Sequence, residues 1–506
     1  MIRDGSTITV LLMMFVLLCG VATCAPGKER QAGVAGSFYP ADPDELSKMV
    51  DGFVAAAQVP SLPEPPIALI APHAGYPYSG PVAGHSYAEL KNRTFHRVVI
   101  IAPSHYDAFP FSAVYDGDAY VTPLGRVPVD KDFVVKLTAQ GDSIRLSGRG
   151  HERSGEQYEH ALEDQLPFLQ RTLTQFQLVP IIMGDQSYEA SRLLGVALAK
   201  LIRDPGTLIV ASSDLSHYHP YAEAYAIDNN TLQAIKAWDY FNLSRNLQAR
   251  VWEACGGGPI VAAMIAAERL GANRAELLEY ANSGDVTGDR SRVVGYSSFV
   301  LYKAAATEST VLPFTLTASE EQELLSVARK SVEMSVREGK SYKPPAGSAA
   351  LQQDRGAFVT ITKNGELRGC IGYVSPMYPL IETVRDVATL AASRDPRFPP
   401  VTAAELGALQ YEVSVLSPFR HVQAVEEIKV GQHGLLMRKG GREGLLLPQV
   451  PIEQKWDRKT FLEQTARKAG LPPGAWKDQD TDIFSFSAMV FSDVKPLTTT
   501  PEVPSP

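Results

Sequence analysis

Between residues 30 and about 303, short apolar runs alternate with helical patterns, and this constrains the fold more than anything else in the 506-residue chain. The runs at 67–70, 98–102, 178–182, 208–211 and 298–302 are too continuously apolar to have one wet face. They predict an α/β unit, a mainly parallel sheet sandwiched by helices. Helical spacing over 44–57, 159–174, 188–202 and 221–238 supplies the covering layers. Residues 304–316 lose periodicity and read as a linker. A smaller α+β unit follows over 317–494, with helices at 319–338 and 380–393 and a hairpin turning at Asn364-Gly365. The tail, 495–506, is rich in Thr and Pro and has nothing to bury.

Charge and cysteine usage narrow the function classes. Lys and Arg number 48 against 56 Asp and Glu, a net charge of -8. That balance repels a phosphate backbone, so nucleic acid is not an expected partner. The apolar stretch 8–22, after Arg3, is short for a membrane span and predicts an export signal over residues 1–25. It ends Val21-Ala22-Thr23-Cys24, similar to a lipobox, so the expected product is a lipoprotein acylated at Cys24 or a periplasmic protein. An uncleaved anchor is the alternative. In either case the membrane is met only through this segment. Of four cysteines, Cys255 and Cys370 remain outside it, in different predicted domains, which excludes a disulfide framework.

Chemistry concentrates where strands end. In an open parallel sheet, sites form beyond the carboxyl ends of the strands. Three apolar runs lead into Pro72-His73, Ser104-His105 and Ser212-Ser213-Asp214-Leu215-Ser216-His217. His73, His105 and His217 are therefore expected to converge. Imidazoles suit iron, zinc or copper, and Cys255, flanked by glycines and Pro259, is the natural further donor. A buried small hydrophobe is the bland reading of Cys255. His160 and Glu163, three apart on the predicted 159–174 helix, are read mainly as helix packing. The turn-rich stretch Asn282-Ser283-Gly284-Asp285 either reaches the cleft or is only a turn. In the second unit, Arg368, Arg394 and Arg397 are candidate anion-binding residues, and solvated or internally paired arginines are the equal alternative.

The runs GVAGSFYP from Gly33, APHAGYPYSG from Ala71, Pro103-Ser104-His105, EHALEDQLPF from Glu159, SSDLSH from Ser212, and Cys255-Gly256 with Pro259-Ile260 resemble the Memo family. The likeness covers most of residues 30–303 in order. It implies the fold of the class III extradiol dioxygenases, which use non-haem iron. It further implies metal ligation by His73, His105 and Cys255. Asp214 and His217 would line the pocket as catalytic residues, His217 where those dioxygenases keep an acid/base histidine. A thiolate then replaces their carboxylate ligand, which separates this site from catechol cleavage.

LRGCIG from Leu367, RDPRFPP from Arg394 and GLLLPQV from Gly444 resemble the AMMECR domain. Together the two domains are similar to parts of the AmmeMemoRadiSam system, which implies a radical SAM protein as a partner. The function expected is a metal-dependent oxidoreductase holding Fe(II), or copper, with the AMMECR-like domain recognising or presenting a small-molecule or peptide substrate. A non-catalytic scaffold binding a metal, peptide or anion is the second expectation. A zinc hydrolase is disfavoured because no HExxH spacing is present.

Overall fold

The computed structural model describes residues 27–155, 157–304 and 314–493. The expected export signal, most of the linker and the tail lie outside the described residues. Among the described residues no helix is long and apolar enough to cross a membrane.

The apolar runs become strands Ala68–Ala71, Thr207–Ser212, Arg97–Pro103 and Gln177–Met183, adjacent in that order and all parallel. Their residues are almost wholly buried, as helices on both faces require. The margins differ from the mainly parallel expectation. Val293–Tyr302 runs antiparallel to Ala68–Ala71, and Ser112–Val114 antiparallel to Gln177–Met183. At one margin the chain returns directly from Arg274–Asn282 into Val293–Tyr302, through the capped turn Ser283–Thr287 that the Asn282 stretch forms. Such a return needs no crossover helix, so antiparallel pairing follows. In all, the sheet has nine strands.

Pro43–Ala56, Tyr76–Ala88 and Leu166–Thr172 pack together on one side, and Tyr188–Leu201 with Gly257–Arg269 on the other. The last two approach so closely that a Cβ at Gly195 would fall 2.7 Å from the Ala262 carbonyl oxygen. The helix expected over 159–174 is shorter. After a 3-10 turn at Glu163–Gln165 it occupies only Leu166–Thr172, with Pro167 in its first turn. Proline suits the first turn, where its missing N–H costs nothing. His160 therefore lies in a loop and shares no helix face with Glu163.

The second unit holds two four-stranded sheets. In one, Ala357–Lys363 and Glu366–Tyr373 form the expected hairpin, with φ of 53° at Asn364 and 84° at Gly365, the left-handed pair a two-residue turn favours. Helix Ala318–Glu338 starts with a Thr317–Glu320 capping box and packs with Leu380–Ser393 over that sheet. The two units share a core, because Phe419, Leu436, Phe484 and Phe486 join the buried apolar cluster of the first unit. Arg192 Nε donates to Asp482 across this seam at 2.7 Å, with both groups buried.

His151 illustrates how burial couples to pH. It is fully enclosed; its ring bonds the Ala113 carbonyl at 2.9 Å and the Tyr120 hydroxyl at 2.5 Å. Burial lowers its pKa from 6.5 to about 3. The unfolded chain thus takes up this proton before the folded chain does. The stabilisation is complete above about pH 6.5 and is lost as pH falls toward 3. His151→Gln keeps one donor and one acceptor but does not titrate. Its unfolding free energy, measured by denaturant titration at stepped pH, is expected to fall less steeply across that window than that of the unsubstituted chain.

Candidate metal centre

The four central strands end on one side, and the loops leaving three of them bring His73 and His105 together with Asp214, where the sequence predicts His217 as the third converging group. Cys255 comes from the loop just before helix Gly257–Arg269. Its loop fits tightly, since a Cβ at Gly256 would lie 2.1 Å from the Ser212 carbonyl oxygen. A pair of backbone bonds locks the two segments: Cys255 N–H donates to Asp214 O, and Asp214 N–H to Cys255 Sγ, both at 3.2 Å. His73 Nε2 lies 3.0 Å from that sulfur. The His73 and His105 rings meet edge-on with centroids 5.2 Å apart.

One ligand atom from each of His73, His105 and Cys255 lies within 4.8 Å of the others. Atoms this close can come within reach of one ion with bonds of roughly 2.0–2.3 Å. The donor set itself, two imidazoles and a sulfur, suits a transition metal. Of the buried acids near the cluster, Glu159 is held below the usual carboxylate value and supplies charge that a cation would offset, whereas burial pushes Asp164, whose carboxylate oxygens have no hydrogen-bond partner, well up toward its neutral form.

Each imidazole is oriented through Nδ1. For His105 the partner is Glu159 Oε1 at 2.9 Å, and Glu159 Oε2 also takes the His105 backbone N–H at 2.6 Å. Burial alone would raise the Glu159 pKa, but the His105 hydrogen bond overrides it and holds the group below the usual carboxylate value. For His73 the partner is Ser212 Oγ at 2.8 Å; burial, then the neighbouring imidazoles, keep this ring neutral. His217 donates from Nδ1 to the Leu215 carbonyl at 2.8 Å, which leaves Nε2 able to accept. Burial also pushes the Cys255 thiol well up.

Asp214 is buried beside the cluster and accepts the His73 N–H. Burial raises it to about 6, against the opposing His73 N–H bond of 2.8 Å. His217 sits on the short edge strand His217–His219, paired with Val294, and is not among the three groups close enough to share the ion. Tyr218 beside it holds φ of 65°, strained for a non-glycine residue, and exposes its ring at the rim.

Two features differ from the sequence expectation. His160, read as helix packing, stacks on His105 with centroids 4.9 Å apart and lines the cluster; with His105 and Glu159 it forms a second close donor group. Pro167 was the signal that the helix starts later. Glu163 instead binds Arg30 and the backbone N–H groups of Gly33 and Val34. For the candidate arginines the structure shows the internal pairing that the sequence left equally open. Arg368 Nε donates to Glu405 at 3.0 Å and Nη1 to the Pro399 carbonyl. Arg397 is bidentate to Asp395 at 2.9 and 2.7 Å. Arg394 supplies the backbone cap of helix Leu380–Ser393. These contacts brace a loop, so Arg368 and Arg397 are internally paired rather than free for an anion.

Comparison with known proteins agrees with this architecture. Residues 30–300 match the family described as Memo-like protein, and residues 325–491 match AMMECR1. A MEMO1 family protein of Methanopyrus kandleri is 37% identical over 283 residues, 54% of this chain and 98% of that one. One from Methanocaldococcus jannaschii is 38% identical over 290 residues, again 54% of this chain and 99% of its own length. A crystal structure of an uncharacterized protein from Pyrococcus horikoshii is 42% identical, covering 34% of this chain and 91% of that one, with a TM-score of 0.33. With its strand-end histidines and Cys255 gathered at one point, the chain belongs to the Memo-like family through residues 30–300 and carries an AMMECR1 domain over 325–491.

Proposed function

We propose that the chain is a metal-dependent oxidoreductase whose first domain holds one non-haem iron(II), with copper the alternative, through His73, His105 and Cys255. The observation that carries this reading is the approach of those three donor atoms to within 4.8 Å of one another. When bound, such an ion supplies electron exchange with, and polarisation of, oxygen or an organic ligand. The chain's own groups do the rest. Asp214 holds or releases a proton near neutral pH, and His217 accepts one at Nε2. His160, with its buried Nδ1 unpartnered, offers a hydrogen-bonding edge beside the cluster.

The AMMECR1 domain is assigned the recognition or presentation of a small-molecule or peptide substrate. Its Asp354 accepts from Trp252 Nε1 at 3.1 Å, three residues before Cys255. Its His421 lies 3.7 Å from Glu268, near the far end of the helix that starts beside Cys255. Both contacts support a mechanical link between that domain and the thiolate loop.

Elemental analysis of protein purified without oxygen tests the reading. The expected result is about one iron or copper per chain, lost in the His73→Ala, His105→Ala double variant while the fold is kept. A folded, metal-free wild-type chain that takes up neither metal would overturn it and favour a scaffold.

A further inference from the structure

We infer that Ser212 and Gln165 are positioning residues that fix the Nδ1–H tautomer of His73, and thereby present Nε2 as the donor nitrogen of the site. The proposal rests on the metal reading above, yet its core concerns the metal-free chain.

Counting hydrogens fixes the tautomer. Ser212 Oγ lies 2.6 Å from the Ala161 carbonyl oxygen, 2.8 Å from Gln165 Nε2 and 2.8 Å from His73 Nδ1. A hydroxyl has one hydrogen and two acceptor positions. A carbonyl can only accept, so the Ser212 hydrogen goes to Ala161. The Gln165 amide is equally determined. Its Nε2 lies 3.0 Å from the Pro72 carbonyl, which again only accepts, and its Oε1 receives the Tyr87 hydroxyl. The opposite amide orientation would set two carbonyl oxygens against each other. Gln165 therefore donates to Ser212, whose own hydrogen is already used. The one remaining contact of Ser212 Oγ, to His73, must be filled by a donor. His73 thus carries its hydrogen on Nδ1, and the Nε2 lone pair faces Cys255 Sγ.

Tyr87, Gln165 and Ser212 are fully buried and His73 is 2% exposed, so the chain is closed to bulk water. A polar group mispaired in such a place has no water to turn to, which makes the assignment rigid. The same outcome is reached at His105 through a carboxylate and at His217 through a backbone carbonyl. Only at His73 does it depend on a neutral side-chain relay that spans the strand end, the 3-10 turn and helix Tyr76–Ala88.

Two measurements on the full chain test it. Histidine-selective nitrogen-15 NMR of the metal-free wild type is expected to show His73 as the Nδ1–H form; an Nε2–H form would overturn the proposal, with no variant needed. Anaerobic cobalt(II) titration, read in the thiolate charge-transfer band, is expected to weaken about 10–100-fold in Ser212→Ala and to recover in Ser212→Thr. The tautomer signal of Ser212→Ala should move with it, which a merely structural loss would not produce. Unchanged cobalt affinity in folded Ser212→Ala would also overturn it. Should Ser212→Ala not fold, the wild-type tautomer measurement alone decides the proposal. A wild-type chain that takes no cobalt contradicts the metal reading alone, and the tautomer measurement still decides this one.

Discussion

Glu163→Ala is expected to cost the first domain about 3–5 kcal/mol, the penalty for leaving a buried charge without its partner. Glu163 is completely buried and its carboxylate gathers the N-terminal end of the domain. It receives Arg30 Nη1, the Gly33 N–H at 2.9 Å, the Val34 N–H at 3.1 Å and the Tyr39 hydroxyl. Arg30 in turn donates to the His151 carbonyl at 2.7 Å and the Glu159 carbonyl at 2.6 Å. Removing the carboxylate strands a guanidinium that is 4% exposed. Urea unfolding followed by tryptophan fluorescence should show a lower midpoint. The pair of changes Arg30→Met with Glu163→Leu should recover only part of the loss, because no buried charge remains but the Gly33 and Val34 N–H groups and the Tyr39 hydroxyl lose their acceptor. A loss below about 1 kcal/mol, as for an exposed pair, would show that this network is not closed to water.

The second large effect is expected at Glu159, whose carboxylate orients His105 through Nδ1 and the backbone N–H. Glu159→Ala should weaken metal binding about 10–100-fold, the usual consequence of freeing a ligand histidine from its orienting carboxylate. Three bonds are lost at once: those from His105 Nδ1 and N–H, and that from the Ala161 N–H at 3.0 Å. Glu159→Gln retains an acceptor for Nδ1 and should lose less. Competition against a chelator of known affinity measures both variants. Equal affinity in wild type and Glu159→Ala would remove His105 from the account.

Much of the site is legible in the sequence because burial forces the signal. A central parallel strand must be apolar on both faces, so the first polar residues after 67–70, 98–102 and 208–211 mark the strand ends, and His73, His105 and Asp214 follow them directly. Cys255 is legible from its glycines, since only residues without a Cβ tolerate the approach to Ser212. His160 is hidden because helical periodicity continues on the N-terminal side of the true helix start, which Pro167 marks. The role of Arg397 was readable from Asp395 two residues away, whereas Glu405, the partner of Arg368, is 37 residues distant. Gln165 and Ser212 lie 47 residues apart, and Arg192 and Asp482 lie 290 apart. No local pattern encodes such pairs, because tertiary packing alone brings them together.

The central claim is that nitrogen from His73 and His105 and sulfur from Cys255 surround one ion. Metal-edge X-ray absorption of the iron-reconstituted full chain tests it most directly. The account predicts one sulfur and at least two imidazole nitrogens in the coordination shell, with the sulfur contribution absent in Cys255→Ser. A shell of oxygen and nitrogen alone, identical in the wild type and Cys255→Ser, would contradict it.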